Sequence, residues 1–273
     1  MSSAEATGTA PSPAVAAPAA GVGARLSGVT WLRLLGIAMI LAAWELASGT
    51  ILDPFWISKP SLVGARLWQM AVEGDLWWHT SATAWQALLG LVLGLVAGIA
   101  CGVVFAALPR FAAAADPLVM ALYSVPRVAF APLFIIWFGI GLLSKVMMAF
   151  SMAVFVYLLN THQGLKEVDR DLIDLMRSMR ASHWYVLAKV QIPAVLPWIF
   201  GATRIAIGLS LIGSVLGELL GSNRGLGWYV ERSGGRLDTT GVVAGLVALM
   251  VLAVVANETV RIVERLALRG ARR

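Results

Sequence analysis

Long apolar blocks alternate with short polar stretches over most of the chain. Most blocks reach the length of about 18 residues that a helix needs to cross the hydrocarbon core of a bilayer. Charged residues are rare inside the blocks and are concentrated between them. The pattern predicts an all-α polytopic membrane protein with about six transmembrane helices, at about residues 31–49, 80–107, 117–138, 145–160, 193–221 and 239–257.

Two of the blocks carry residues that decide how their helices pack. Four glycines recur every four residues in the second block: Gly90, Gly94, Gly98 and Gly102. A ridge of small residues lets a neighbouring helix approach closely, so we interpret it as a packing surface and not as a ligand site. The third block contains Pro126 and Pro132, which predict a kinked or interrupted helix.

The longest polar interruption, residues 161–193, predicts a helical hairpin. Its first half has apolar residues at steps of three and four with charged residues between them, the pattern of one amphipathic helix. These apolar residues are Leu165, Val168, Leu172, Leu175, Met176 and Met179. Ser182 fits the N-cap of a second, short helix from His183 to about Val190, which Pro193 closes. Such a hairpin suits docking into a groove on another protein; a solvated loop on the lipid surface fits the spacing equally well.

Composition and charge support the membrane interpretation. With 59% apolar residues, 13% charged residues and a mean hydropathy of +0.81, the chain is too apolar for a soluble globular protein. The net charge of +6 does not indicate nucleic-acid binding, because Lys and Arg are not gathered on one soluble module. Most of them lie where the chain would be cytoplasmic if both termini and residues 161–193 faced the cytoplasm, and we expect that orientation.

The first 24 residues form a separate segment. They are rich in Ala, Pro, Ser and Gly and lack the aromatic and branched residues that build a core. We expect a disordered cytoplasmic N-terminal segment at residues 1–24, followed by a transmembrane domain at residues 25–273.

Catalytic and metal-binding motifs are missing from the sequence. No G-x-x-x-x-G-K-[ST] phosphate loop, zinc-ligand spacing, G-x-S-x-G or acid–base cluster occurs. We therefore expect neither an enzyme nor a resident cofactor or metal ion. If ATP drives transport by this chain, a separate polypeptide has to supply the work through a docking surface.

Four segments in and just after the hairpin follow one another at characteristic distances along the sequence: Asp174-Leu175-Met176, Arg180-Ala181-Ser182, Val190-Gln191-Ile192-Pro193 and Leu196-Pro197. They resemble the Glu-Ala-Ala loop of bacterial ABC-importer permeases, in which that triplet precedes a Gly and, after a fixed gap, an Ile-x-Leu-Pro. Leu175 and Met176 depart from the pattern by replacing the alanines, and Arg180 stands where Gly is usual. Because Arg adopts a left-handed turn only at a cost, we expect the bend at Ala181-Ser182 instead.

Further segments extend the resemblance over about residues 31–268: Asp116-Pro-Leu, Pro126, Ala131-Pro-Leu, Trp137-Phe-Gly-Ile-Gly141, Ser144-Lys145, Asn160-Thr161, Gly217-Glu218 and Gly221-Ser-x-x-Gly-Leu-Gly227. They are similar to the nitrate/sulfonate/taurine-type branch of type I ABC permeases. The resemblance implies the type I importer-permease fold in the bacterial inner membrane and a permease homodimer. It also implies two ABC ATPase subunits, which bind ATP and Mg, and a periplasmic or lipid-anchored substrate-binding protein. The substrates of this branch are mostly small anions such as sulfonates, taurine, nitrate or carboxylates, with some pyrimidine-type exceptions.

The same resemblance gives the hairpin a role. In the family, this loop is the coupling element that sits in a cleft of the ATPase subunit. The coupling residues that it implies here are Asp174, Leu175, Met176, Arg177, Arg180, Ala181, Ser182, His183 and Trp184.

One charged residue lies in the broken third block. A charge at the centre of a bilayer costs roughly 2.5–3.5 kcal/mol, so a lipid-facing Arg127 is implausible. Arg127 follows Pro126, and broken helices at membrane depth usually line cavities. We hypothesise that Pro126 and Arg127 line a translocation pathway and that Arg127 favours an anionic substrate. The alternative is a structural Arg that bonds backbone carbonyls freed near Pro126.

Two further charged residues lie in the fifth block. Arg204 and Glu218 are about 21 Å apart along one helix, so they cannot pair within one chain. We expect Arg204 to be structural, reaching the hairpin or Asp174. We expect Glu218 to line the pathway near the opposite end, where it pairs with Arg224 or closes an outer gate.

Together these features favour the permease subunit of an ATP-driven importer that works by alternating access. A secondary-active carrier would need coupling acids at mid-depth and an inverted repeat, and neither is visible in the sequence. A non-transporting scaffold would leave the proline-broken third block unexplained. The solute stays open between a small anion and a neutral or pyrimidine-type molecule.

Overall fold

The structure, a computed structural model, describes the backbone of residues 22–271 and most of their side chains. The segment predicted to be disordered, residues 1–24, lies almost wholly outside the described residues. Helices make up nearly all of the described chain, and no sheet occurs in it. In order, the helices are α1 (Val22–Ala47), α2 (Pro54–Ile57), α3 (Pro60–Glu73), α4 (Asp75–Ala107), α5 (Pro109–Ser124), α6 (Ala131–Phe138), α7 (Leu142–Lys166), α8 (Arg170–Ser178), α9 (His183–Val186), α10 (Ile192–Leu220), α11 (Leu226–Gly235) and α12 (Thr239–Ala271).

Four stretches of the described chain are long and apolar enough to cross a membrane. They are α4, α7, residues Leu187–Leu220 and residues Thr239–Leu266, and the bent pair Pro109–Ser124 and Arg127–Phe138 makes a fifth if it counts as one span. The predicted span at residues 31–49 falls on α1 and is not part of this count. The all-α polytopic prediction is confirmed, whereas the orientation of the termini stays a prediction.

The predicted glycine ridge is confirmed as the packing surface between α4 and α7. All four ridge glycines are buried, and each backs onto a residue of α7. A Cβ atom on Gly90 would come within 2.4 Å of the Ala149 Cβ, and one on Gly98 within 2.5 Å of the Tyr157 Cβ. On the other side of α7, Gly213 of α10 lies so close that an added Cβ would be 2.7 Å from the Ala149 Cα. Helix α7 is thus clamped between α4 and α10, and these three helices form the core.

The third apolar block is broken, as predicted, but its boundaries differ from the prediction. Helix α5 begins at Pro109, directly after α4, and not at Pro117. A proline in the first turn of a helix costs no hydrogen bond, which allows this early start. The break follows at Val125, which is extended at φ −68° and ψ 131° because Pro126 disfavours the helical conformation in the residue before it. A short 3₁₀ turn, Arg127–Phe130, then leads into α6, and the two arms meet at 84°.

The polar interruption folds into three pieces, and two details of its prediction are wrong. Residues 165–179 were expected to form one helix, but α7 ends at Lys166 and α8 starts after Asp169. The Asp169 side chain accepts a hydrogen bond from the Asp171 N–H at 2.9 Å, so an N-cap interrupts the helix. Pro193 was expected to close the second helix, but it lies in the first turn of α10. A π-helical stretch, Leu187–Gln191, joins α9 to α10 without a stop.

Candidate functional site

Helix α8 carries apolar side chains that the rest of the described chain leaves uncovered. Leu175 is 57% exposed and Met179 is 71% exposed, and Leu172 is exposed on the same side. Asp174 and Arg177 flank this stripe as a loose ion pair, with nitrogen and oxygen 3.7 Å apart and both side chains exposed. Such a pair contributes about 0–1 kcal/mol to stability. The surface is therefore an amphipathic helix face that no described residue covers.

A tight turn at Arg180 fixes the angle between α8 and α9. The Arg180 N–H donates to the Arg177 carbonyl at 2.8 Å, and the Ala181 N–H donates to the Met176 carbonyl at 3.0 Å. This pair of bonds is the Schellman motif, which requires a left-handed residue just after the helix. Arg180 has a φ of +57° and occupies that position. The expected bend at Ala181-Ser182 is thus wrong, because the turn keeps the position at which the resembling family has Gly.

The second helix of the hairpin begins as predicted. The Ser182 hydroxyl accepts a hydrogen bond from the Tyr185 N–H at 3.2 Å, which is an N-cap contact. His183 and Trp184 form the first turn of α9, and their side chains are outside the described part of the structure. Val186 is buried and anchors α9 to the bundle, whereas most of the described α8 side chains are exposed.

Arg127 closes the C-terminal end of α5. Its Nη2 donates to the carbonyls of Leu122 and Tyr123 at 3.5 and 3.4 Å, and these carbonyls lie in the last turn before the break. The guanidinium carbon also lies 4.5 Å from the centroid of the Phe155 ring. The side chain is half-buried, and the preceding Pro126 is exposed. These contacts match the structural alternative for Arg127; a place on the translocation pathway stays a prediction for both residues.

Glu218 lies at the opposite end of the bundle and is 1% exposed. Its carboxylate accepts hydrogen bonds from the Thr83 hydroxyl at 2.8 Å and from the Gly227 N–H at 2.7 Å. The Thr83 oxygen in turn accepts from the Leu226 N–H at 2.8 Å. Gly225 lies directly against the carboxylate, where a Cβ atom would be 2.1 Å from the Glu218 Cδ. One carboxylate thus ties α4, α10 and the start of α11 together.

His79 completes this cluster, and sequence reasoning missed both His79 and Thr83. The His79 Nδ1 accepts from the Gly225 N–H at 3.2 Å, and its ring stacks on Trp228 with centroids 5.2 Å apart. His79 and Thr83 are one helical turn apart at the start of α4, a spacing that could have placed them on one face. We call His79, Thr83, Glu218 and residues 225–227 the carboxylate cluster.

The two ion pairs expected for the fifth block are not formed. Arg224 does not pair with Glu218, whose carboxylate accepts from the Thr83 hydroxyl and the Gly227 N–H. Its Nε donates instead to the Trp78 carbonyl at 3.0 Å, with the guanidinium carbon 3.6 Å from the Trp78 ring centroid. Arg204 does not reach the hairpin or Asp174 but pairs with Glu264 of α12. Among the side chains that the structure describes, no three His, Cys, Asp or Glu residues are arranged to hold a metal ion.

Known proteins similar to this chain are transport components. Residues 90–269 match the family described as the binding-protein-dependent transport system inner membrane component. The riboflavin transport system permease protein RibX of Chloroflexus aurantiacus is 35% identical over 236 residues, which cover 85% of this chain and 87% of that protein. The putative aliphatic sulfonates transport permease protein SsuC of Bacillus subtilis is 30% identical over 237 residues, 86% of each chain.

A solved structure shares the fold. The MetNI methionine ABC transporter in an inward-facing conformation contains a chain that aligns with a TM-score of 0.56 at 20% identity. The alignment covers 69% of this chain and 94% of that one. At this identity, the likeness concerns the arrangement of the helices.

Proposed function

The chain belongs to the binding-protein-dependent transport system inner membrane components, ABC importer permeases, and we propose that it carries a small anionic solute by alternating access driven by a separate ATPase. Permeases of this family are transport subunits and not enzymes. The work for each cycle then has to enter through a surface that the chain offers to its partner.

The observation that carries the coupling proposal is the uncovered apolar stripe of α8. Leu172, Leu175 and Met179 expose their side chains at the end of the bundle, where α7 delivers the hairpin. Burial of apolar surface yields about 25 cal/mol per Å², so an amphipathic face of this kind gains by entering a groove. The Schellman turn at Arg180 holds α8 at a fixed angle to α9. A displacement of α8 by the ATPase would therefore be transmitted to α10 through the continuous π-helical stretch.

The partners follow from the same proposal. A second copy of this chain completes the pathway, two ATPase subunits bind ATP and Mg, and one hairpin docks on each. Asp174 and Arg177 lie at the edge of the apolar stripe and serve orientation more than affinity, because exposed charges steer association. A periplasmic or lipid-anchored binding protein delivers the solute. The family description, which names dependence on a binding protein, supports this last partner.

The proposed substrate is a small organic or inorganic anion. The relative named for aliphatic sulfonates supports it, as does the half-buried cation Arg127 in the broken third span. A second candidate is a neutral heteroaromatic solute, which the 35% identity to a riboflavin permease favours. Uptake of labelled taurine into cells that express the complete transporter separates the two candidates. Excess methanesulfonate should compete with labelled taurine, and excess riboflavin should not.

The coupling proposal is tested by making the α8 stripe polar. We expect Leu175→Glu to reduce co-purification of the ATPase with the permease at least about tenfold, since loss of a central interface anchor costs about 2 kcal/mol or more and 1.4 kcal/mol corresponds to tenfold. Leu237→Glu, at a 70% exposed leucine beyond α11 at the opposite end, is the matched control and should leave co-purification unchanged. Full ATPase recovery with Leu175→Glu would contradict the proposal.

A further inference from the structure

A cavity of about 960 Å³ opens at the end of the bundle opposite the hairpin. It lies between the start of α4, the turn that leads into α7 and the loop that follows α10. Ligand pockets in proteins usually measure about 300–1,000 Å³, so the space fits a small organic molecule. The polar and aromatic side chains that line the cavity include Ser81, Trp85, Gln86, Lys145, Asn223 and Arg224.

Both charged side chains in the lining are cations. Lys145 is only 5% exposed, and its Nζ donates one hydrogen bond, to the Gly141 carbonyl at 3.0 Å. No described carboxylate lies within ion-pair distance of this nitrogen. An ammonium group carries three N–H donors, so two donors of a buried cation are left for another partner. A buried charge without a counter-ion is costly, and an anion in the cavity would remove that cost.

Glu218 does not fill this role. The residue before it, Gly217, packs against the Lys145 side chain, so closely that an added Cβ would be only 3.0 Å from the Lys145 Cγ. Yet the Glu218 carboxylate accepts its hydrogen bonds from Thr83 and the Gly227 N–H. It lowers the local positive charge without accepting a hydrogen bond from Lys145. With Arg224 included, the surroundings of the cavity keep a net positive charge.

Arg224 is the second cation and lies at the rim of the cavity. Its Nε and Nη2 donate to the Trp78 carbonyl and the Ser81 hydroxyl, both at 3.0 Å. These contacts, together with the stacking on Trp78, fix the plane of the guanidinium and leave its remaining N–H groups for a ligand. A guanidinium held in one plane suits the paired oxygens of a carboxylate or sulfonate.

The neutral part of the lining supplies donors and an apolar wall. The Gln86 Oε1 already accepts from the Ser214 hydroxyl at 3.0 Å, which leaves the Gln86 amide N–H₂ as a donor towards the cavity. Asn223 adds a second amide. The exposed Trp85 forms an apolar face beside these groups. An oxyanion group with a short apolar body would satisfy both kinds of surface.

We propose that this cavity is a binding site for the charged group of a small organic oxyanion, with Lys145 and Arg224 as its two cationic ligands. The inference rests on the proposed anion transport and names residues for it beyond Arg127. The chemistry recognised is one singly charged sulfonate or carboxylate group attached to a compact apolar body.

The test compares methanesulfonate with dimethyl sulfone, its neutral counterpart of similar shape. The full chain is placed in nanodiscs of zwitterionic lipid, and saturation transfer to the methyl protons of each compound is titrated by NMR. We expect saturable binding of methanesulfonate and none of dimethyl sulfone. Lys145→Gln and Arg224→Gln should each weaken binding at least about tenfold, and Arg224→Lys, which keeps the charge but loses the planar fork, should weaken it less than Arg224→Gln. Arg236→Gln, which removes an exposed cation outside this cavity, should bind like the parent chain.

Three results would overturn the proposal: no saturable methanesulfonate signal in the parent, equal binding of dimethyl sulfone, or unchanged binding in Arg224→Gln. Lys145 is buried and its replacement risks misfolding, so the rim variant Arg224→Gln decides the question by itself. ATPase co-purification is measured for the same variants, purified from cells that express the complete transporter. If co-purification persists while binding is absent, only the cavity proposal fails; if binding persists while co-purification is absent, only the coupling proposal fails.

Discussion

The two ends of the helix bundle differ in what they expose and what they bury: one exposes apolar side chains, and the other buries a carboxylate. At the hairpin end, Leu175 of α8 and Met179 at its C-cap are exposed, and the ion pair between Asp174 and Arg177 is loose and solvated. At the opposite end, Glu218 is buried and all of its hydrogen bonds are made within the chain. At the hairpin end the described residues leave an apolar face uncovered, whereas the other end is closed by residues of this chain.

The difference has a mechanical meaning for a permease. A surface that receives work from another protein has to be accessible, and few internal contacts hold α8 in place. In the coupling proposal the three-helix core behind it moves as a unit, and we expect the glycine ridge and the carboxylate cluster to keep that core rigid. We expect substitutions at the closed end to change stability strongly, and substitutions at the hairpin end to change association with little effect on stability.

Removal of the Glu218 carboxylate should have the largest effect on stability. In Glu218→Ala, the Thr83 hydroxyl and the Gly227 N–H lose their acceptor in a buried site, which should cost about 3 kcal/mol because each unsatisfied group costs about 1–3 kcal/mol. The loss should appear as a lower midpoint of thermal unfolding in detergent, followed by intrinsic fluorescence. Glu231→Ala, at an exposed carboxylate on α11, is the control and should change the midpoint little. Equal midpoints for the two variants would show that the cluster does not hold this end together.

A methyl group on the glycine ridge should have the next largest effect. In Gly90→Ala, the new Cβ would lie 2.4 Å from the Ala149 Cβ and 2.8 Å from the Phe150 backbone nitrogen. The helices would have to separate, and overpacking of this kind costs about 1–3 kcal/mol. The measurement is the same unfolding midpoint.

For a matched glycine on α10, Gly201, we expect replacement by alanine to raise stability instead of lowering it. An added Cβ on Gly201 meets no atom within 4 Å, so Gly201→Ala should stabilise by about 0.5–1 kcal/mol through the better helix propensity of alanine. If both alanine variants stabilised the protein equally, the close contact between α4 and α7 would not be a source of stiffness.

The sequence was most informative where a pattern repeats along one helix. The four-residue glycine spacing predicted a close-packing face on α4, and Pro126 predicted the break in the third block, because both effects act within a few residues of their cause. The Ser182 cap was predictable for the same reason. These features need no knowledge of which helices become neighbours.

The partners of buried charges were not predictable, since they are set by tertiary packing. Glu218 bonds to Thr83, 135 residues away, and Arg204 pairs with Glu264, 60 residues away. Nearby residues such as Arg224 looked equally suitable in the sequence. Arg180 shows the same limit for the backbone: its intrinsic preference is worth about 1–2 kcal/mol, and the Schellman hydrogen bonds outweigh it.

The smallest effect, and the one that concerns the hairpin directly, is expected for Arg180→Gly. Glycine adopts a φ of +57° without a clash between Cβ and the backbone, although its greater freedom in the unfolded chain offsets part of the gain. We expect a net stabilisation of α8 by about 0.5–1 kcal/mol, seen as slower hydrogen exchange of the Met179 and Ala181 amides. Ala181→Gly is the control: Ala181 has no positive φ, so the added freedom should speed exchange. Faster exchange in Arg180→Gly would mean that the Arg180 side chain, and not the backbone turn, holds α8 against α9, and the hairpin would then transmit force through side-chain contacts.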